Sequence, residues 1–142
     1  MNVVARYAEC TPAAMTNGMR TPRALVVDDN DDFLCTIVQT LLTIGWDSIA
    51  VSDPQRALAV CSDGGEIDVV LADVVMPELD GIEMAKRIKA VRPNLPVVLM
   101  TGYADMVDKA IAAGAIPLLK PFSMLALERI LSDTRESGVE DA

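Results

Sequence analysis

Ala24-Leu25-Val26-Val27-Asp28-Asp29-Asn30 and Ile67-Asp68-Val69-Val70-Leu71-Ala72-Asp73 share one plan: a short, mostly aliphatic run that stops abruptly on acid. Runs of this length, rich in Val and Ile and closed by polar residues, have the character of strands buried on both faces. Three further runs repeat the plan. Ser48 to Val51 precedes Ser52-Asp53-Pro54, Pro96 to Met100 precedes Thr101-Gly102, and Ile116 to Leu119 precedes Lys120-Pro121. Between the runs the period changes to that of helices. Phe33, Ile37, Leu41 and Ile44 recur at three- and four-residue steps after Asn30 until Gly45. Ala57, Leu58, Val60 and Cys61 follow the Asp53-Pro54 start and end at Gly64-Gly65. Ile82, Ala85 and Ile88 stripe a helix from about 82 to 91, another runs from Ala104 to Ala113 before Gly114, and Ser123 caps a last one through about Arg135.

Five strands alternating with five helices predict an α/β fold: a five-stranded parallel sheet with helices on both faces, a doubly wound, flavodoxin-like three-layer sandwich. Each crossover must carry the chain back, and its helix needs a sheet face to bury against. With 142 residues the chain has the length of one domain. Residues 1–22, rich in Thr, Pro, Asn and Gly, are expected to be a disordered leader, 23–136 the folded domain and 137–142 a short tail.

Composition excludes several chemistries. The chain has no histidine, so a Ser/His/Asp triad, a Cys/His dyad, histidine metal ligation and a phosphohistidine on this chain are all ruled out. The net charge of −9 divides into +2 over residues 1–23 and −11 over the rest, which opposes direct binding to nucleic acid or anionic lipid. Cys10, Cys35 and Cys61 are odd in number and widely spaced, the usage of a reducing compartment, and the expected location is the cytoplasm. The charge-free stretch from Phe33 to Trp46 falls short of the ~20 residues a membrane helix needs.

In an open parallel sheet, ligands bind beyond the carboxyl ends of the strands, where the strand order reverses. Four of the five runs end there on reactive groups: Asp28-Asp29, Asp73, Thr101 and Lys120. Taken singly, each has an ordinary explanation as a helix cap, a turn residue or a surface lysine. Together they place three carboxylates, a hydroxyl and an ammonium on one edge. Crowded carboxylates repel, and a hard divalent cation, Mg²⁺ above all, relieves that repulsion while leaving room for a phosphoryl oxygen. Thr101 and Lys120 supply a donor and a positive charge for the remaining phosphoryl oxygens.

These residues resemble the receiver domain of two-component response regulators. The matching segments are Leu25 to Asn30, Asp73-Val74-Val75-Met76-Pro77-Glu78-Leu79-Asp80-Gly81, Thr101-Gly102 and Lys120-Pro121-Phe122. The resemblance implies that Asp73 accepts a phosphoryl group from a phosphohistidine on a partner histidine kinase or phosphotransfer protein. It further implies that Asp29 ligates Mg²⁺ directly, Asp28 through water, and Val75 through its backbone carbonyl, with Thr101 and Lys120 contacting the phosphoryl group. The Lys120-Pro121 bond is expected to be cis. So short a chain suggests a stand-alone receiver whose output is binding to another protein through the surface formed by 104–113, 116–119 and 123–135, with no direct nucleic-acid binding and no membrane insertion.

The sequence also departs from that family. The aromatic residue usual three positions before the lysine is Pro117 here, and the stretch from Gly114 to Lys120 is one residue short. Tyr103 is the nearest candidate for a replacement ring. Val75 and Tyr103 flank the route of hydrolytic water in that family and offer it little help, which predicts slow self-dephosphorylation. The missing aromatic leaves a second reading open, a degenerate receiver that serves as a phosphorylation-independent interaction module.

Overall fold

A computed structural model describes residues 21–63, 66–76 and 79–141, with side chains placed to Arg135. The expected leader therefore lies almost wholly outside the described residues, as do Gly64, Gly65, Pro77 and Glu78. The elements alternate strictly: β1 (Arg23–Val27), α1 (Asp31–Thr43), β2 (Asp47–Val51), α2 (Pro54–Ser62), β3 (Val69–Asp73), α3 (Gly81–Val91), β4 (Val97–Thr101), α4 (Asp105–Ala112), β5 (Ile116–Leu119) and α5 (Met124–Asp141). All pairings are parallel, in the order β2-β1-β3-β4-β5.

The two-residue period of the strands decides which helix covers which face. Leu25, Val27, Val70, Ala72, Val97 and Leu99 point to one side, where they meet Ala57 and Cys61 of α2, Met84, Ala85 and Ile88 of α3, and Ala110 of α4. Their neighbours Ala24, Val26, Val69, Leu71, Val98 and Met100 point to the other, against Leu34, Ile37, Val38 and Leu41 of α1 and Leu127 and Leu131 of α5. The central strands are thus buried on both faces and the sheet is a middle layer, as the uninterrupted aliphatic runs require.

Helix starts follow from capping chemistry. Asn30 Oδ1 accepts from the Phe33 N–H at 3.1 Å, Asp53 from Gln55, Asp80 from Glu83 and Ser123 Oγ from Ala126, each removing one orphan donor of a first turn. Gly45 and Gly114 close α1 and α4 with φ of +91° and +84°, where a Cβ would be strained.

Three details differ from the sequence reading. In α1 the buried stripe is Leu34, Ile37, Val38 and Leu41, while Phe33 and Ile44 sit half-buried at its flank. In α2 only Ala57 and Cys61 are buried among the residues expected inward, with Leu58 and Val60 at the margin. The last helix continues to Asp141, past the expected end near Arg135 and through the segment expected to be a tail. No proline interrupts it there, and a single glycine costs only about 1 kcal/mol in a helix.

The amino-terminal edge of the sheet is tied by ionic hydrogen bonds. Arg23 Nε donates to Asp47 Oδ2 at 2.9 Å, and the Arg23 backbone N–H donates to Asp68 Oδ2 at 2.8 Å. Asp47 is almost fully buried, and its other oxygen accepts from the Ser48 N–H. These bonds fasten the starts of β1 and β2 to the turn before β3, on the side away from the strand ends that carry the site.

Candidate phosphoryl-acceptor site

The strand order reverses between β1 and β3: from β1 the chain passes to β2 on one side, and from β3 to β4 and β5 on the other. Crossover helices leave on opposite faces at that point, so the carboxyl ends of β1 and β3 border an open crevice. Asp28 and Asp29 follow β1, and Asp73 ends β3. Their carboxylates converge, with one ligand oxygen from each lying within 4.8 Å of the others.

Local bonding fixes each group. The Asp28 N–H donates to Val51 O at 3.2 Å, extending the β1·β2 ladder, while Asp28 Oδ1 accepts from the Asn30 N–H at 2.9 Å. Asp28 is thereby drawn inward and Asp29 is left exposed. Asp73 is held by its neighbour, since the Val74 N–H donates to Met100 O, and Val74 O accepts from Gly81. Gly81 packs directly on this backbone. A Cβ there would fall 2.9 Å from Val74 Cα and closer still to the Asp73 carbonyl oxygen, so only glycine fits.

Lys120 reaches across from the end of β5. Its N–H donates to Thr101 O at 2.7 Å, and its Nζ donates to Asp73 Oδ1 at 3.2 Å and lies 3.8 Å from Asp28 Oδ2. The Lys120-Pro121 peptide is cis, as expected. One ammonium thus pairs with two of the three carboxylates. Burial pushes the Asp28 carboxyl up from an ordinary 3.8 to about 6; its hydrogen bond from Asn30 opposes the rise, and the nearby Asp73 charge adds to it. Asp28 Oδ2 is buried and has no hydrogen-bond partner.

Excess negative charge and an unsatisfied buried carboxylate oxygen make a donor set of hard oxygens suited to a divalent cation. Asp28, Asp29 and Asp73 fit such an ion.

The structure therefore brings together four of the expected site residues, Asp28, Asp29, Asp73 and Lys120. Thr101 is buried at the end of β4, with its Oγ1 accepting the Tyr103 N–H at 3.0 Å. The Val75 and Tyr103 side chains are exposed. Pro117 sits half-buried in β5 opposite Leu99, on the edge strand, where a missing N–H is tolerated. Two contributors lie outside the site residues expected from the sequence. Gly81 stands there only as the last residue of the matching segment 73–81, and Phe33, a member of the α1 apolar period, lies with its ring centroid 4.3 Å from Lys120 Nζ. An aromatic two residues past the Asp-Asp-Asn turn's following acid was the available signal for the second.

A doubly wound sheet with an acidic crevice at its switch point defines a class, and comparison with known proteins supplies the family. Residues 24–132 match the response regulator receiver domain model, and the chain belongs to that family. It is 42% identical over 125 residues to the transcriptional regulatory protein ZraR of Salmonella typhimurium, an alignment covering 82% of this chain and 28% of that protein. The chain thus spans little more than a quarter of that relative's length. Among solved structures, a receiver domain protein from Clostridium thermocellum superposes with a TM-score of 0.80 at 28% identity, covering 85% of this chain and 99% of the other. The receiver domain of the sensor histidine kinase PA1611 from Pseudomonas aeruginosa, solved with magnesium in its active site cleft, gives 0.73 at 26% identity, covering 80% and 97%.

Proposed function

We propose that this domain is a phosphoryl-accepting switch of a two-component phosphorelay, phosphorylated on Asp73. The observation that carries the reading is the convergence of the Asp28, Asp29 and Asp73 carboxylates within 4.8 Å, with Lys120 Nζ 3.2 Å from Asp73 Oδ1. The donor is a phosphohistidine on a partner kinase or phosphotransfer protein, the kind of donor that receiver domains use; these 142 residues contain no histidine. An Asp73 carboxylate oxygen forms the new P–O bond as the donor's P–N bond breaks. The electron pair stays on the imidazole nitrogen, which takes a proton from solvent.

Asp28, Asp29, Asp73 and the Val75 carbonyl would hold Mg²⁺, which supplies charge neutralisation for carboxylates and phosphoryl oxygens alike. Lys120 neutralises a second phosphoryl oxygen. The Thr101 hydroxyl donates to a third, and turning toward it gives up the bond from the Tyr103 N–H. That exchange links the phosphorylation state to the loop bearing the exposed Tyr103 ring, which takes the place of the aromatic absent at Pro117. The output is binding to a downstream protein in the cytoplasm, and no helix among the described residues is long and apolar enough to cross a membrane.

The test is beryllofluoride with Mg²⁺, followed through backbone amide resonances. Shifts at Asp73, Thr101, Tyr103 and Lys120 that vanish in Asp73→Asn support the reading. Shifts that persist in that variant overturn it.

A further inference from the structure

The Lys120 ammonium has a third neighbour besides Asp73 and Asp28: the Phe33 ring, whose centroid lies 4.3 Å away. Only 28% of the lysine side chain remains exposed. The placement of the ring is built from the site's own loop. The Phe33 N–H is held by Asn30 Oδ1, and the Asn30 N–H is held in turn by Asp28 Oδ1. Phe33 also meets Phe122, two residues past Lys120, at 6.5 Å between centroids and 83° between planes, the edge-to-face geometry aromatic pairs favour. Two rings from the segments that carry Asp28 and Lys120 are therefore locked together beside the ammonium.

We propose that Phe33 is a positioning residue for Lys120: its ring holds the ammonium against Asp73 and Asp28 and out of solvent-directed rotamers. The proposal rests on the reading of Asp73 as phosphoacceptor and adds to it what keeps the lysine in place. An aliphatic side chain would exclude water equally well, but it lacks the negative ring face that attracts a cation. For a partly desolvated pair the attraction corresponds to roughly a three- to tenfold change in the population of the seated lysine.

The test compares Phe33→Leu, Phe33→Met and Phe33→Tyr in the full chain by two measurements. One is the rate of Asp73 phosphorylation by a small acyl phosphate at saturating Mg²⁺; the other is the ring-current displacement of the Lys120 ε-methylene resonance, which needs no phosphorylation. Leu and Met are expected to slow phosphorylation about three- to tenfold and abolish the displacement, and Tyr to keep both within about twofold. In a Lys120→Met background, Phe33→Leu is expected to add nothing further. The proposal is overturned if folded Phe33→Leu keeps the wild-type rate, if Tyr slows as much as Leu, or if the effect survives without the lysine. Failure of wild type to take up a phosphoryl group would overturn the phosphoacceptor reading instead, while the Lys120 displacement and its loss in Phe33→Leu would still decide the positioning.

Discussion

Asp28→Asn should make the metal-free protein more stable at neutral and alkaline pH, although it removes a residue of the site. The buried carboxyl titrates at about 6 in the folded chain against an ordinary 3.8. Between those values the folded state binds more protons than the unfolded one, so stability falls as pH rises through the window and stays low above it. A shift of about two units corresponds to about 3 kcal/mol. That figure is a ceiling, because the amide must still satisfy its N–H groups beside Asp73; a gain of about 1–3 kcal/mol is expected at pH 8 in EDTA. At pH 5 wild type is already largely protonated at Asp28, and the gain should fall to about half. Urea unfolding followed by Trp46 fluorescence measures this, since Trp46 is buried beside the start of β2 and reports folding remote from the site. Excess Mg²⁺ should then stabilise wild type, by about 2.7 kcal/mol at a hundredfold excess over its dissociation constant, and the variant much less. An Asp28→Asn protein no more stable than wild type at pH 8, or a gain that grows on acidification, would refute the reasoning.

Other perturbations have equally definite outcomes. Gly81→Ala forces a methyl group into the Asp73–Val74 backbone, and the overpacking should cost about 1–3 kcal/mol in urea unfolding while slowing phosphorylation at Asp73. Arg23→Met leaves the buried Asp47 carboxylate without its guanidinium; the loss should be about 2 kcal/mol, discounted for the partial exposure of Arg23, and partly recovered by adding Asp47→Asn. Val75→Asn places a group able to orient water beside the phosphoacceptor, and the phosphoaspartate half-life, followed by mass spectrometry after removal of donor, should shorten.

The fold was legible because its burial is written in periods. Runs such as Val69 to Ala72 can be aliphatic throughout only if both sheet faces are covered, and the helix-start signals at Asn30, Asp53 and Ser123 fall where helices begin. The charged site was legible for a related reason: Asp28, Asp29, Asp73 and Lys120 each terminate a strand, so a parallel sheet alone gathers them. What escaped depends on contacts between segments distant in sequence. The α1 stripe keeps Ile37 and Leu41 but has Leu34 and Val38 where Phe33 and Ile44 were expected; Phe33 meets Lys120, 87 positions away in the sequence, and no periodicity encodes that meeting. The need for glycine at position 81 likewise comes from a contact, the Asp73 carbonyl against it, that no local pattern encodes. Helix α5 runs on to Asp141 through Gly138, although glycine closes α1 and α4 at Gly45 and Gly114.

The most direct test of the central claim is the intact mass of the protein after incubation with Mg²⁺ and a small acyl phosphate. The account predicts a gain of one phosphoryl group in wild type, none in Asp73→Asn, and none when the metal is chelated. A phosphoryl group acquired equally by Asp73→Asn, or no uptake by folded, Mg²⁺-loaded wild type, would contradict it.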